Sequence, residues 1–223
     1  MKALIIAAHP DDEVLGCGGL IAKGTRAGHE FHVLILTDGA DTRYPRKMRG
    51  VLRRNAAAAG RILGSKSVVF GGLPNQKLDA IPLLRVVGTV ERHIAKLRPD
   101  TVFTQSQGDL NEDHRVAYQA ALTATRPIPG QCVRRLYTYF VASSTEWNQL
   151  PGSTAFVPNV FVDIARQLPK KLAAMGCYPS ECRPYPHPRS LEALRAYAHY
   201  WGLASGREFA EPFFLVRDLS GPA

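Results

Sequence analysis

Several things are scarce in this chain, and each scarcity excludes a class. Its 223 residues hold only four cysteines (Cys17, Cys132, Cys177 and Cys182), with no C-x-x-C pair and no dense framework. A disulfide-stapled scaffold is therefore excluded, and reduced, cytosolic thiols are expected. No apolar run approaches the ~18 residues of a membrane span. The longest, such as Ala3–Ala8 and Phe31–Leu36, are strand-sized. The first of these is also shorter than the ~7–15 residue core of a signal peptide, and the acidic Asp11-Asp12-Glu13 follows almost at once, so a buried first strand is expected. Nineteen glycines and 16 prolines are too few for a low-complexity or collagen-like chain. The remaining composition, 45% hydrophobic and 21% charged, fits a cytoplasmic globular protein with a core of its own. One domain spanning residues 1–223 is the expectation.

Acid is missing from one long stretch. Between Thr42 and Leu78 there is no Asp or Glu, while nine Lys and Arg residues fall there, as many as the whole chain's net charge of +9. No aromatic interleaving and no nucleic-acid module accompanies them. A small anionic substrate is thus preferred over DNA or RNA as the partner, with a merely solvated basic face as the plain alternative.

Strand and helix patterns alternate. Strands are expected at Ala3–Ala8, Phe31–Thr37, Ser67–Phe70 and Thr101–Thr104, and later at Arg135–Val141, Val160–Ile164 and Phe213–Val216. Helices are expected at Val14–His29, Met48–Leu63, Ile81–Leu97, His114–Ala124, Arg166–Met175 and Ser190–Gly202. This is the pattern of an α/β fold: a Rossmann-like, mostly parallel sheet with helices on both faces and an elaborated C-terminal part. The Pro-rich stretch Pro179–Pro188 reads as a linker or a cap. In the strand order 3-2-1-4, ligands bind beyond the carboxyl ends of strands one and four, where the order reverses.

The loops after those two strands carry the densest chemistry in the chain. They are His9-Pro10-Asp11-Asp12-Glu13 and Asp109-Leu110-Asn111-Glu112-Asp113-His114. Imidazole and carboxylate are zinc ligands, and a catalytic site needs three of them with one position open. His9, Asp12 and His114 would supply that set. Acidic residues at a helix start also serve simply as caps. Two such loops at one predicted sheet edge favour the metal.

The segment Ala8–Glu13 resembles the signature of the LmbE/PIG-L-like zinc-dependent N-deacetylases. Leu36-Thr37-Asp38-Gly39, Asp109–His114, Thr125-Arg126-Pro127 and Tyr185–Ser190 also resemble that family, so the likeness runs over nearly the whole chain. It implies a hydrolase that binds Zn2+ through His9, Asp12 and His114, uses Asp11 as general base, and removes acetyl from an N-acetylated amino sugar or its glycan, nucleotide or lipid conjugate. Where many members carry a histidine, three positions before the last ligand, this chain has Asn111, a donor that cannot pass on a proton. His187, held between two prolines, is the candidate to act in its place, as a cation that stabilises an oxyanion and protonates the amine.

Other residues carry plainer alternatives. Asp38 is a candidate to touch sugar hydroxyls or to cap its loop. One of Arg53 and Arg54 is a candidate to hold substrate oxygens, and Arg54 is taken as that residue. Asp109 and Asp113 are either partners of the metal-binding histidines or N-caps. Gly16, Gly18 and Gly19 make a broken glycine pattern that does not fit a dinucleotide site. The rival reading from another class is a non-catalytic Rossmann-like module that binds a phosphorylated or nucleotide ligand. The sequence leaves the oligomeric state open, a homo-oligomer included.

Overall fold

The computed structural model describes residues 1–40, 45, 47–149 and 155–219. Among these, seven strands form one sheet in the order β3-β2-β1-β4-β5-β7-β6. They are β1 (Lys2–Ala7), β2 (Glu30–Thr37), β3 (Ser67–Leu73), β4 (Thr101–Gln105), β5 (Arg135–Tyr139), β6 (Val160–Asp163) and β7 (Ala210–Asp218). The helices are α1 (Asp12–Arg26), α2 (Met48–Leu63), α3 (Leu83–Leu97), α4 (Glu112–Ala124), α5 (Leu168–Met175) and α6 (Leu191–Leu203).

The apolar run of β1 is explained by its position. Ala3, Ile5 and Ala7 pack into a core with α1, α2, α5 and α6, whereas Leu4, Ile6 and Ala8 pack into a second core with α3 and α4. Alternate side chains point to opposite faces, so a central strand covered on both sides needs apolar residues throughout. β1 to β5 run parallel, as the strand–helix alternation requires. β7 is antiparallel to both β5 and β6, which completes the mixed sheet.

The glycines of α1 serve packing. A Cβ on Gly16 would lie 2.1 Å from Cδ2 of Tyr139, and one on Gly19 would lie 2.5 Å from Cγ2 of Ile164. The helix can therefore lie close against β5 and the segment after β6. Tyr139 in turn donates its hydroxyl to the Ile6 carbonyl at 2.7 Å. The buried Lys171–Glu211 pair adds a second tie. Glu211 accepts from the Gly19 and Leu20 amides at 2.7 and 2.6 Å, and Lys171 donates to the Leu15 carbonyl at 2.7 Å. A buried pair with its hydrogen bonds met holds α1, α5 and β7 in register at little net cost.

The chain leaves β1 towards β2 on one side and crosses to β4 on the other. The switch point thus lies between β1 and β4, and the carboxyl ends of those strands open the crevice that the site occupies. No helix among the described residues is long and apolar enough to cross a membrane.

Candidate metal centre and active site

His9 follows β1 directly, Asp12 opens α1 and His114 lies in the first turn of α4. Their ligand atoms all lie within 4.8 Å of one another. His9 Nδ1 is 3.2 Å from His114 Nε2 and 3.6 Å from Asp12 Oδ2, and His114 Nε2 is 3.3 Å from the same oxygen. Each histidine is backed by a carboxylate on its other nitrogen. His9 Nε2 lies 2.9 Å from Asp113 Oδ2, and His114 Nδ1 lies 3.1 Å from Asp109 Oδ1. Such carboxylates favour hydrogen on the outer nitrogens, which in the neutral rings leaves Nδ1 of His9 and Nε2 of His114 for a metal. Asp109 and Asp113 are therefore partners of the histidines rather than caps. The N-cap of α4 is Asn111, whose side chain accepts from the Asp113 amide at 2.9 Å.

Asp12 and His114 shift each other's charge strongly. Burial alone would raise Asp12 and lower His114. Instead the two histidines hold Asp12 below the usual carboxylate range, and Asp12 and Asp109 push His114 up to about 10. Asp12 Oδ2 accepts from the His9 amide at 2.8 Å and from Gln105 at 3.0 Å. Asp12 Oδ1 is buried with no partner, an arrangement that is costly unless something positive sits there. Two imidazoles and a carboxylate with an orphaned oxygen fit a divalent metal, which would take the His114 ring in its neutral form.

Asp11 is the N-cap residue of α1, yet its side chain makes no capping hydrogen bond. The capping alternative therefore does not account for it. Its backbone has φ of 107°, a left-handed conformation that a non-glycine residue holds only at a cost. The carboxylate is 1% exposed and bound through Oδ2 to Arg189 Nη1 at 3.0 Å. Burial pushes Asp11 well above the usual carboxylate range, and Arg189 opposes that shift. Glu13 accepts from the Tyr178 hydroxyl at 2.6 Å and from the Asp11 amide at 3.1 Å, and burial pushes it up to about 7.

A cavity of about 470 Å3 adjoins this cluster, lined among others by Asn111, Glu112, Trp147, Glu181, His187 and Arg189. A smaller pocket, lined by His9, Asp11 and Gly39, shares Gln76, Asn111, Glu181 and Arg189 with it. The segment Pro179–Pro188 is thus a cap over the site rather than a linker. His187 packs edge-on to Trp147, with ring centroids 6.0 Å apart. Its Nδ1 accepts the Arg189 amide at 3.1 Å. Burial, Arg189 and Arg183 all lower its pKa, so the ring is neutral at pH 7 and offers only Nε2–H as a donor. These surroundings favour the neutral form of His187, with Glu146 alone favouring the cation expected from the sequence.

Neither Asp38 nor Arg54 lines these two cavities. Asp38 is buried against Arg53 at 2.6 Å and Arg49 at 3.4 Å, while Arg54 is exposed. Arg43 and Arg46, part of the acid-free stretch, lie outside the described residues. Four contributors went unnoticed in the sequence. They are Gln76 beside His9, Gln105 on Asp12, and Ser144 and Thr145, whose hydroxyls donate to Asp109. None has a local signal, because each acts through a residue at least 35 positions away.

Residues 4–125 match the family described as PIG-L, GlcNAc-PI de-N-acetylase. The chain belongs to the PIG-L family. The match spans β1 to α4 and so includes both loops that carry His9, Asp12 and His114. An uncharacterized deacetylase of Escherichia coli K12, YaiS, is 28% identical over 180 residues, 77% of this chain and 87% of that protein. The diacetylchitobiose deacetylase of Thermococcus kodakarensis is 26% identical, over 98% of this chain and 84% of its own. Among solved structures, the conserved protein TT1542 of Thermus thermophilus superposes with a TM-score of 0.76 at 29% identity, covering 99% of this chain and 96% of that one. GalB of Pseudomonas putida, a 4-carboxy-2-hydroxymuconate hydratase, has a TM-score of 0.71 at 23% identity, covering 100% of this chain and 98% of its own. The fold therefore hosts more than one reaction, and the site must decide which.

Proposed function

We propose that this protein is a zinc-dependent hydrolase that removes the N-acetyl group of an N-acetylated amino sugar, free or carried on a glycan, nucleotide or lipid. The reading takes residues 1–223 as one domain of the family, acting in the cytoplasm. The observation that carries it is the convergence of His9, Asp12 and His114 beside a buried, uncapped Asp11, with His9 and Asp11 lining a small pocket that shares Gln76, Asn111, Glu181 and Arg189 with a cavity of about 470 Å3. The deacetylase relatives support the same reaction class. The rival module that binds without hydrolysis would have no use for a buried, unpartnered carboxylate oxygen beside two histidines or for a buried base.

Held by those three residues, zinc would supply a Lewis acid that polarises the acetamide carbonyl and makes water a better nucleophile. The chain's own groups do the rest. Asp11 takes the proton of the attacking water at Oδ1, since Oδ2 is held by Arg189. The water oxygen first bonds to the carbonyl carbon, whose oxygen gains the charge; the carbon–nitrogen bond then breaks as Asp11 returns the proton to the departing amine. A carboxyl raised by burial suits a group that must first accept that proton and then release it. Asn111 spends its Oδ1 on the Asp113 amide, which leaves its NH2 to donate to the oxygen that gains charge. His187 joins it as a neutral donor through Nε2. Acetate and free amine, measured together on a panel of N-acetyl sugars against zinc content, test the reading. Equal release of both, proportional to bound zinc, supports it.

A further inference from the structure

One charged group in the cavity does more than hold Asp11 Oδ2. Arg189 follows the proline-flanked His187 and opens no recognisable motif, yet its side chain ties together more of the site than its neighbours do. Its Nη1 donates to Asp11 Oδ2 at 3.0 Å and to Glu181 Oε2 at 3.1 Å. Its Nε donates to Ser143 Oγ at 2.6 Å, and its backbone amide donates to His187 Nδ1. Three separate segments meet on this residue: the loop after β1, the loop after β5, and the 179–190 cap.

We propose that Arg189 is the positioning residue of this active site: it grips one oxygen of Asp11 so that the other is left to accept the proton, and it locks the cap onto the loop that carries the metal ligands. The inference rests on reading Asp11 as the base. Arg189 donates to the Asp11 side chain, and it uses Oδ2. Asp11 is held in a left-handed backbone conformation, so its side chain needs an anchor. A guanidinium suits the task because two nitrogens of its planar fork, Nε and Nη1, reach Ser143 and the pair Asp11 and Glu181, whereas a lysine offers one nitrogen only. Its backbone amide, separately from the guanidinium, donates to His187 Nδ1 and so favours hydrogen on Nε2 of that ring. One residue thereby orders both the base and a donor.

The experiment is a double-mutant cycle on the zinc-loaded full chain, comparing Arg189→Gln, Asp11→Asn and the double variant by Tm and by turnover. Arg189→Gln should lower Tm, because it strands a buried carboxylate, and Asp11→Asn on top should recover most of that loss. Turnover of Arg189→Gln should fall ~10–100-fold with zinc content intact and KM little moved. Added guanidinium should restore part of the turnover of Arg189→Ala, and Arg189→Lys should lie between parent and Arg189→Gln. Additive Tm losses, or parental turnover in Arg189→Gln, would overturn the proposal. A parent that released no acetate would overturn the proposed function alone, since the Tm cycle would still judge the pair.

Discussion

Asp11 and Asp12 are neighbours with opposite electrostatics. Asp12 is pulled down by two imidazoles, and Asp11 is pushed up by burial. The difference suits the proposed roles, Asp12 as ligand and Asp11 as base, and is open to test. Asp11→Asn should keep fold and zinc but lose ~10²–10⁴-fold in turnover, as a carboxamide cannot accept the proton. A variant that lost its zinc would make Asp11 a ligand, and one with normal turnover would remove it from the chemistry. His114 gives a pH prediction. At about 10, its metal-free ring carries a proton at pH 7, whereas zinc takes the neutral ring. Binding should therefore release a proton, and affinity should rise with pH by up to about tenfold per unit until His114 deprotonates on its own. Calorimetry in buffers of different ionisation enthalpy reads the proton count, and zero net release would contradict the assignment. His9, Asp11, Asp12, Asn111, His114 and His187 were legible because a motif or a pair of prolines flagged each. Arg189 was visible only as part of a resembling segment. Its partner Asp11 lies 178 residues away, and no local pattern encodes such a contact.

α1 carries two of the site's carboxylates, so its placement matters more than its length. Sequence periodicity located it but began it at Val14, two residues late, because Asp12 and Glu13 read as loop acids. α2 was read to its ends, Met48 and Leu63, since Gly64 stops it in a left-handed cap with φ of 85°. What periodicity could not supply was the reason for the α1 glycines, which depends on Tyr139 and Ile164 arriving from the far end of the chain. Gly16→Ala should therefore cost about 1–3 kcal/mol by overpacking against Tyr139, and should weaken zinc binding as α1 backs away. Denaturant unfolding with and without zinc checks both effects. A neutral substitution would mean that the helix is not pressed against β5. The antiparallel insertion of β7 between β5 and β6 was likewise illegible, because a strand's neighbours in a sheet are set by long-range packing rather than by its own residues.

The whole molecule is basic, with a net charge of +9. Part of the acid-free stretch is already committed, since Arg49 and Arg53 hold Asp38. If the remaining charge steers an anionic substrate, KM for a phosphorylated N-acetyl sugar should rise with salt while that for the neutral sugar stays flat. Identical salt profiles would assign those arginines to the solvated surface. The sheet order β3-β2-β1-β4 was legible, and with it the crevice where the two loaded loops meet, because strand–helix alternation leaves few topologies to choose from. The central claim is that this crevice hydrolyses an acetamide. Its most direct measurement is acetate and free amine released from N-acetylglucosamine and its saccharide and phosphate conjugates by protein carrying one zinc per chain. The account predicts equimolar acetate and amine from at least one of them, lost on chelation and restored by zinc. Zinc-loaded protein that released neither product from any acetamido sugar would contradict it.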